Sequence, residues 1–191
     1  MGTIKKQPML YDLSNLTIMV VEDSTYMSSL IASMLKIFSV GDIMECADCH
    51  EAIEVLTVTQ ARSKSRFVTH VDVILTDWLM PSGSGEKLLD WVRSHPSDDI
   101  RFLPVIIVSG YTTQEIIHDA RDHGANDTLV KPISANGLAS RICSIIETPR
   151  VFVKSPSYFG PDRRRQTMPY KGVERRLMKT KTVTIKKGQP V

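Results

Sequence analysis

The chain has 191 residues, 42% of them hydrophobic and 24% charged, which is ordinary for a soluble globular protein and long enough for one domain with a real core plus an appendage. The net charge of +3 hides a split: residues 150–191 carry twelve Lys/Arg against two Asp/Glu, a balance of +10, which leaves −7 on the rest. No stretch is apolar for long enough to span a bilayer, and the start of the chain lacks the apolar segment of an export signal, so a cytoplasmic protein with three free thiols is expected.

Residues 1–15 read as an irregular lead-in; Gly2 invites acylation, but Lys6 stands where that signal needs Ser or Thr. A first strand, Thr17–Val21, stops at Glu22-Asp23, and Ser24 caps a helix bearing Met27, Leu30, Ile31, Met34, Leu35 and Phe38 at helical spacing. After Gly41 come a short second strand, Ile43–Cys46, and a second helix from Glu51 to about Gln60, then a polar, basic stretch from Ala61 to His70. The third strand runs to Asp77, and Gly83-Ser84-Gly85 opens a third helix that stops near His95-Pro96. The fourth strand, Pro104–Val108, ends in Ser109-Gly110; Thr112 or Thr113 caps a fourth helix closed by Gly124. The fifth strand, Asp127–Val130, ends in Lys131-Pro132, and Ser134 caps a fifth helix ended by Pro149. Strict strand–helix alternation predicts an α/β domain over residues 16–148: a doubly wound, five-stranded parallel sheet with five helices, flavodoxin-like in class. From 149 to 191 the periodicity disappears, and a basic, largely disordered tail is expected.

Four apolar runs therefore stop at Glu22-Asp23, Asp77, Ser109 and Lys131. In an open parallel sheet the carboxyl ends of the strands share one edge, where ligands bind. Three carboxylates, a hydroxyl and an ammonium would meet there. Each close carboxylate pair repels by about 1–4 kcal/mol at about 4 Å, so the cluster calls for a compensating cation. Carboxylate oxygens with a backbone carbonyl suit Mg²⁺, and phosphoryl transfer needs mainly positioning and charge neutralisation. Asp77 sits where it could attack, Lys131 where it could pair with the carboxylate or the phosphoryl group, and Ser109 where it could donate to a phosphoryl oxygen.

The acidic pair after the first strand, Asp-Trp-Leu-Met-Pro after the third, Val-Ser-Gly after the fourth and Val-Lys-Pro after the fifth resemble the response-regulator receiver domain, the CheY-like family, over about 135 residues. The resemblance implies that Asp77 accepts a phosphoryl group from a sensor histidine kinase or a histidine phosphotransfer protein. It implies a Mg²⁺ site from Asp23, Asp77 and the Leu79 carbonyl, with Glu22 acting directly or through water. Ser109 would be the switch hydroxyl, Lys131 the phosphate contact, and Lys131-Pro132 a cis peptide. The face of the fourth helix, fifth strand and fifth helix would carry the signal to an unknown downstream protein and offers a homodimer surface. The only catalysis implied is self-phosphorylation and self-dephosphorylation. Thr128 stands where the family often has an aromatic switch residue. Bulky Leu79 and Tyr111 flank the expected water path, so slow dephosphorylation is predicted. No DNA-binding output pattern follows in the remaining residues, which gives a stand-alone receiver.

Two alternatives come from other classes. A metal-dependent phosphohydrolase would use a similar sheet but usually places its nucleophilic Asp after the first strand. A nucleic-acid binder would act through the tail, where Tyr158-Phe159-Gly160-Pro161-Asp162-Arg163-Arg164 returns as Tyr170-Lys171-Gly172-Val173-Glu174-Arg175-Arg176. Cys46-Ala47-Asp48-Cys49-His50 matches a haem-attachment pattern, but without export the simpler reading is two structural cysteines.

Overall fold

The computed structural model describes residues 13–61, 70–110, 114–164 and 181–183. Five parallel strands, β1 (Thr17–Val21), β2 (Asp42–Cys46), β3 (Val73–Asp77), β4 (Val105–Ser109) and β5 (Asp127–Val130), form one sheet in the order β2-β1-β3-β4-β5. Around it lie α1 (Thr25–Ile37), α2 (Cys49–Ala61), α3 (Gly85–Ser94), α4 (Asp98–Arg101), α5 (Gln114–Asp122) and α6 (Ala135–Glu147). The predicted fold class and strand positions hold. The four-residue α4 is additional: a single turn led in by Ser97, too short to leave a periodic signature. The predicted fourth and fifth helices are therefore α5 and α6.

Side chains alternate across the strands, so one sequence feeds two cores. Met19, Val21, Ile74 and Ile107 point to a layer with Leu56 of α2, Leu88, Leu89 and Val92 of α3, and Ala120 of α5. Ile18, Val20, Val73, Leu75, Ile106 and Val108 point the other way, onto Ile31 and Leu35 of α1 and Leu138 and Ile142 of α6. Both predicted serine caps form, Ser24 accepting from Met27 N and Ser134 from Gly137 N, and Ser84 adds a cap to α3 by accepting from Lys87 N. The Thr112/Thr113 cap and Tyr111 lie outside the described residues. The lead-in is more engaged than expected at its end, because Leu13 is buried and bonds to Phe38 and Gly41.

The expectation of disorder from residue 149 is corrected for the first part of the tail. β6 (Phe152–Ser155) and β7 (Tyr158–Pro161) form an antiparallel hairpin around Pro156-Ser157, and β8 (Lys181–Val183) pairs with the other side of β6. The hairpin packs at the amino-terminal edge of the main sheet, away from the predicted site. Phe152 and Phe159 meet Phe102 at ring separations of 4.8 and 5.2 Å. Beneath them Arg93 is buried and donates, at 2.8 Å each, to the carbonyls of Gly124, Arg101 and Leu103 and to Asn126 Oδ1. Burial pulls its pKa down to about 9, which leaves it charged at neutral pH. Aromatic packing and four satisfied guanidinium bonds supply what the tail's charge-rich composition conceals. The first tail repeat is β7 and its continuation; the second lies outside the described residues.

Candidate functional site

The register assembles the site. Val21 of β1 lies opposite Thr76 of β3, Asp77 opposite Val108 of β4, and Ser109 opposite Val130 of β5. Glu22, Asp77, Ser109 and Lys131 therefore leave neighbouring strands at one rim, and Lys131 N bonds to Ser109 O at 2.8 Å. Lys131 Nζ lies 2.6 Å from Glu22 Oε2 and 2.6 Å from Asp77 Oδ2. Glu22, Asp23 and Asp77 each bring a carboxylate oxygen within 4.8 Å of the others. Glu22 is buried, Asp77 largely so at 12% side-chain exposure, and Asp23 faces solvent. Ser109 is buried and Leu79 half-exposed. The side chains of Glu22, Asp23, Asp77 and Lys131 meet, and Ser109 ends the neighbouring strand at the same rim.

Local chemistry fixes the loop after β3. Thr76 Oγ1 donates to Asp77 O, Leu79 N donates to Asp77 Oδ1 at 3.3 Å, and Gly85 N bonds to Trp78 O. A Cβ at Gly85 would collide with the carbonyl oxygen of Asp77. Gly83 has φ +133°, which side chains rarely adopt, and a Cβ there would strike the Cys49 thiol. These glycines let α3 start directly beneath the loop that presents Asp77 and the Leu79 backbone.

The charges do not balance. Burial pulls the Lys131 ammonium down, but the bonds to Asp77 and Glu22 outweigh it, and its pKa rises above the usual lysine value. Among the described residues, one ammonium against three carboxylates leaves two negative charges in a partly buried spot. Hard oxygens and a deficit of two suit a divalent cation such as Mg²⁺. The Lys131-Pro132 peptide is cis. Cys46 and Cys49 are both free and buried, and burial pushes the Cys46 thiol up to about 12, which fits the reading of two structural cysteines.

Sequence reasoning passed over the Arg93–Asn126 pair and a second charged cluster, in which His123 Nδ1 lies 2.6 Å from Asp90 Oδ1 and its Nε2 3.5 Å from Glu86. The readable signals were a basic residue beside Leu89 and Val92 on the apolar side of α3, and the Glu86/Asp90 spacing of one helical turn.

The structure is thus a doubly wound sheet with an acidic, lysine-bridged cluster at its carboxyl rim. A family model for the response regulator receiver domain matches residues 18–143, and the chain belongs to that family, a component of two-component signalling. Chemotaxis protein CheY-3 of Vibrio cholerae is 28% identical over 133 residues, covering 70% of this chain and 93% of that protein. Two-component response regulator ORR6 of Oryza sativa subsp. japonica is 29% identical over 133 residues, 70% of this chain and 72% of that protein. Among solved structures, the receiver domain of the histidine kinase CKI1 from Arabidopsis thaliana, complexed with Mg²⁺ and BeF₃⁻, shares the fold with a TM-score of 0.61 at 24% identity, over 71% of this chain and 93% of that one. The CheX–CheY–BeF₃–Mg²⁺ complex from Borrelia burgdorferi aligns with a TM-score of 0.58 at 19% identity, over 69% and 89%. No helix among the described residues is long and apolar enough to cross a membrane.

Proposed function

We propose that Asp77 is the phosphoacceptor of a cytoplasmic two-component response regulator. The phosphoryl group passes from a phosphohistidine nitrogen of a sensor kinase or phosphotransfer protein to an Asp77 carboxylate oxygen: the P–N bond breaks, an acyl P–O bond forms, and the released imidazole takes up a proton. The observation that carries this reading is the Lys131 ammonium held 2.6 Å from both Asp77 and Glu22, on a rim shared with Asp23 and Ser109. Asp23, Asp77 and the Leu79 carbonyl would hold Mg²⁺, with Glu22 ligating directly or through water. The ion supplies charge neutralisation at the transferring phosphoryl oxygens. Lys131 then exchanges an Asp77 oxygen for a phosphoryl oxygen, and Ser109 donates to another. The chain catalyses nothing beyond its own phosphorylation and slow dephosphorylation.

In this reading phosphorylation shifts the population of conformers on the α5–β5–α6 face, which a downstream protein or a second copy of the chain then binds. β5 is the edge strand of that face, and Val130 is exposed on it. The test is phosphotransfer from a panel of histidine kinases to wild type and Asp77→Asn, with and without Mg²⁺. Label should enter wild type only, and only with Mg²⁺; equal labelling of both proteins rejects the assignment.

A further inference from the structure

A second group of metal-ligating side chains lies outside the acidic rim. Glu86 and Asp90 stand one turn apart on α3, and His123 follows directly after α5. Each brings a ligand atom within 4.8 Å of the others. The backbone fixes the imidazole: His123 N bonds to Asp119 O at 2.8 Å, and Gly124, with φ +95°, turns the chain immediately after it. The ring stands edge-on to Trp78, the residue after Asp77, at a centroid separation of 6.0 Å. All three side chains are open to solvent, with exposures of 47%, 57% and 32% for Glu86, Asp90 and His123.

The two ring nitrogens have different surroundings. Nδ1 lies 2.6 Å from Asp90 Oδ1, a charge-assisted hydrogen-bond distance. An ionised carboxylate only accepts, so Nδ1 carries the hydrogen. In the neutral ring the lone pair is then on Nε2, 3.5 Å from Glu86 Oε1. Two electron-rich atoms so placed call for a cation between them. A proton bridges that gap poorly, because N–H···O bonds centre at about 2.9–3.0 Å. Two ligands each about 2.0–2.1 Å from a tetrahedral ion stand about 3.4 Å apart, which the gap matches. Among the described residues neither carboxylate pairs with a lysine or arginine. With a neutral ring the group therefore carries two negative charges, which a divalent ion balances and a proton only halves.

We propose that Glu86 and His123 Nε2 bind a transition-metal ion of the Zn²⁺ type, with water completing its coordination and Asp90 orienting the imidazole through Nδ1. A carboxylate behind a ligating histidine commonly fixes the ring in this way. The imidazole separates this site from the acidic rim: nitrogen suits Zn²⁺, whereas Mg²⁺ prefers an all-oxygen set. The ion takes the place of a proton on Nε2, which passes to solvent, so metal and proton compete for one atom. A bound ion would clip the start of α3 to the end of α5 beside Trp78.

The test is a titration of the chelator-treated full chain with ZnCl₂, in excess Mg²⁺, followed by NMR of the histidine ring nitrogens. The expected result is a saturable shift of His123 Nε2 while Nδ1 keeps its hydrogen, accompanied by a shift of the Trp78 indole. The response should persist in Asp23→Asn, whose acidic rim is disabled, so it stands apart from the phosphoryl-site reading. Asp90→Asn should weaken Zn²⁺ binding by about 10–100-fold. Glu86→Gln, a change at a side chain open to solvent that spares the fold, should weaken it at least as much, and His123→Gln should abolish the saturable response. An unmoved His123 ring in wild type, a shift at Nδ1 in place of Nε2, or equal affinity in wild type and Glu86→Gln overturns the proposal.

Discussion

Lys131 Nζ stands 2.6 Å from Asp77 Oδ2 although 54 residues separate them, and the same nitrogen is 2.6 Å from Glu22. Among the described residues this ammonium is the positive charge that bridges the acidic rim, and it holds the fifth strand to the third and first. Lys131→Met should leave buried Glu22 without its partner and cost about 1–3 kcal/mol of stability. Removing a like charge from beside a bound cation should at the same time enlarge the rise in Tm that Mg²⁺ produces. Denaturant midpoints and Mg²⁺-dependent melting of the variant check both. The raised Lys131 pKa adds a sign: the contribution of its ion pairs should be fully present below pH 10.5 and be lost as pH rises through the higher folded-state value.

His123 should give a pH signature near neutrality. Burial depresses its pKa, but Asp90, Glu86 and Asp119 overcome that and hold it above the ordinary value of 6.5. A raised folded-state pKa means stability that is present below pH 6.5 and lost as pH rises through the folded value. Urea midpoints of wild type should fall relative to Asp90→Asn across that interval; parallel curves for the two proteins would exclude a stabilising His123–Asp90 ion pair.

The hairpin should be part of the folded unit. Phe152→Ala removes a buried ring packed on Phe102 and Phe159 and should cost about 3–5 kcal/mol. Truncation after Glu147 should lower Tm and expose the surface over Arg93. A truncated chain as stable as the full one would make the hairpin a passive attachment.

Gly85→Ala should impair phosphoryl acceptance more than stability, because its methyl group meets the Asp77 carbonyl and must displace the loop carrying the acceptor. Initial phosphorylation rates against unfolding midpoints separate the two effects.

Leu79, half-exposed at the mouth of the site, should shield the acyl phosphate from water. Leu79→Asn should shorten the phosphoryl lifetime; a tenfold change corresponds to about 1.4 kcal/mol in the barrier. Unchanged lifetimes would move the shielding role elsewhere.

The site was legible because its chemistry sits at strand ends. Each of Glu22, Asp23, Asp77, Ser109 and Lys131 terminates or follows an apolar run, and a parallel sheet leaves such ends only one common rim. The hairpin was hidden for an opposite reason. Phe152–Ser155 and Tyr158–Pro161 flank the turn pair Pro156-Ser157, a hairpin pattern in its own right. It stands amid a tail so rich in arginine that composition argued for disorder. The contacts that fix it, from Phe102 and Arg93, come from segments 50 or more residues away, and no local periodicity reports them. Arg93 was obscured by its own chemistry: a charge beside an apolar stripe reads as a solvated edge until Gly124, Arg101, Leu103 and Asn126 are seen to satisfy it.

The most direct measurement is chemical mapping of the acceptor. The chain is phosphorylated with Mg²⁺, reduced with borohydride to convert an acyl phosphate to the corresponding alcohol, digested, and sequenced by mass spectrometry. The account predicts homoserine in place of Asp77, in Mg²⁺-treated samples only. Homoserine at another carboxylate, or phosphate retained on a borohydride-resistant side chain while Asp77 stays intact, would contradict it.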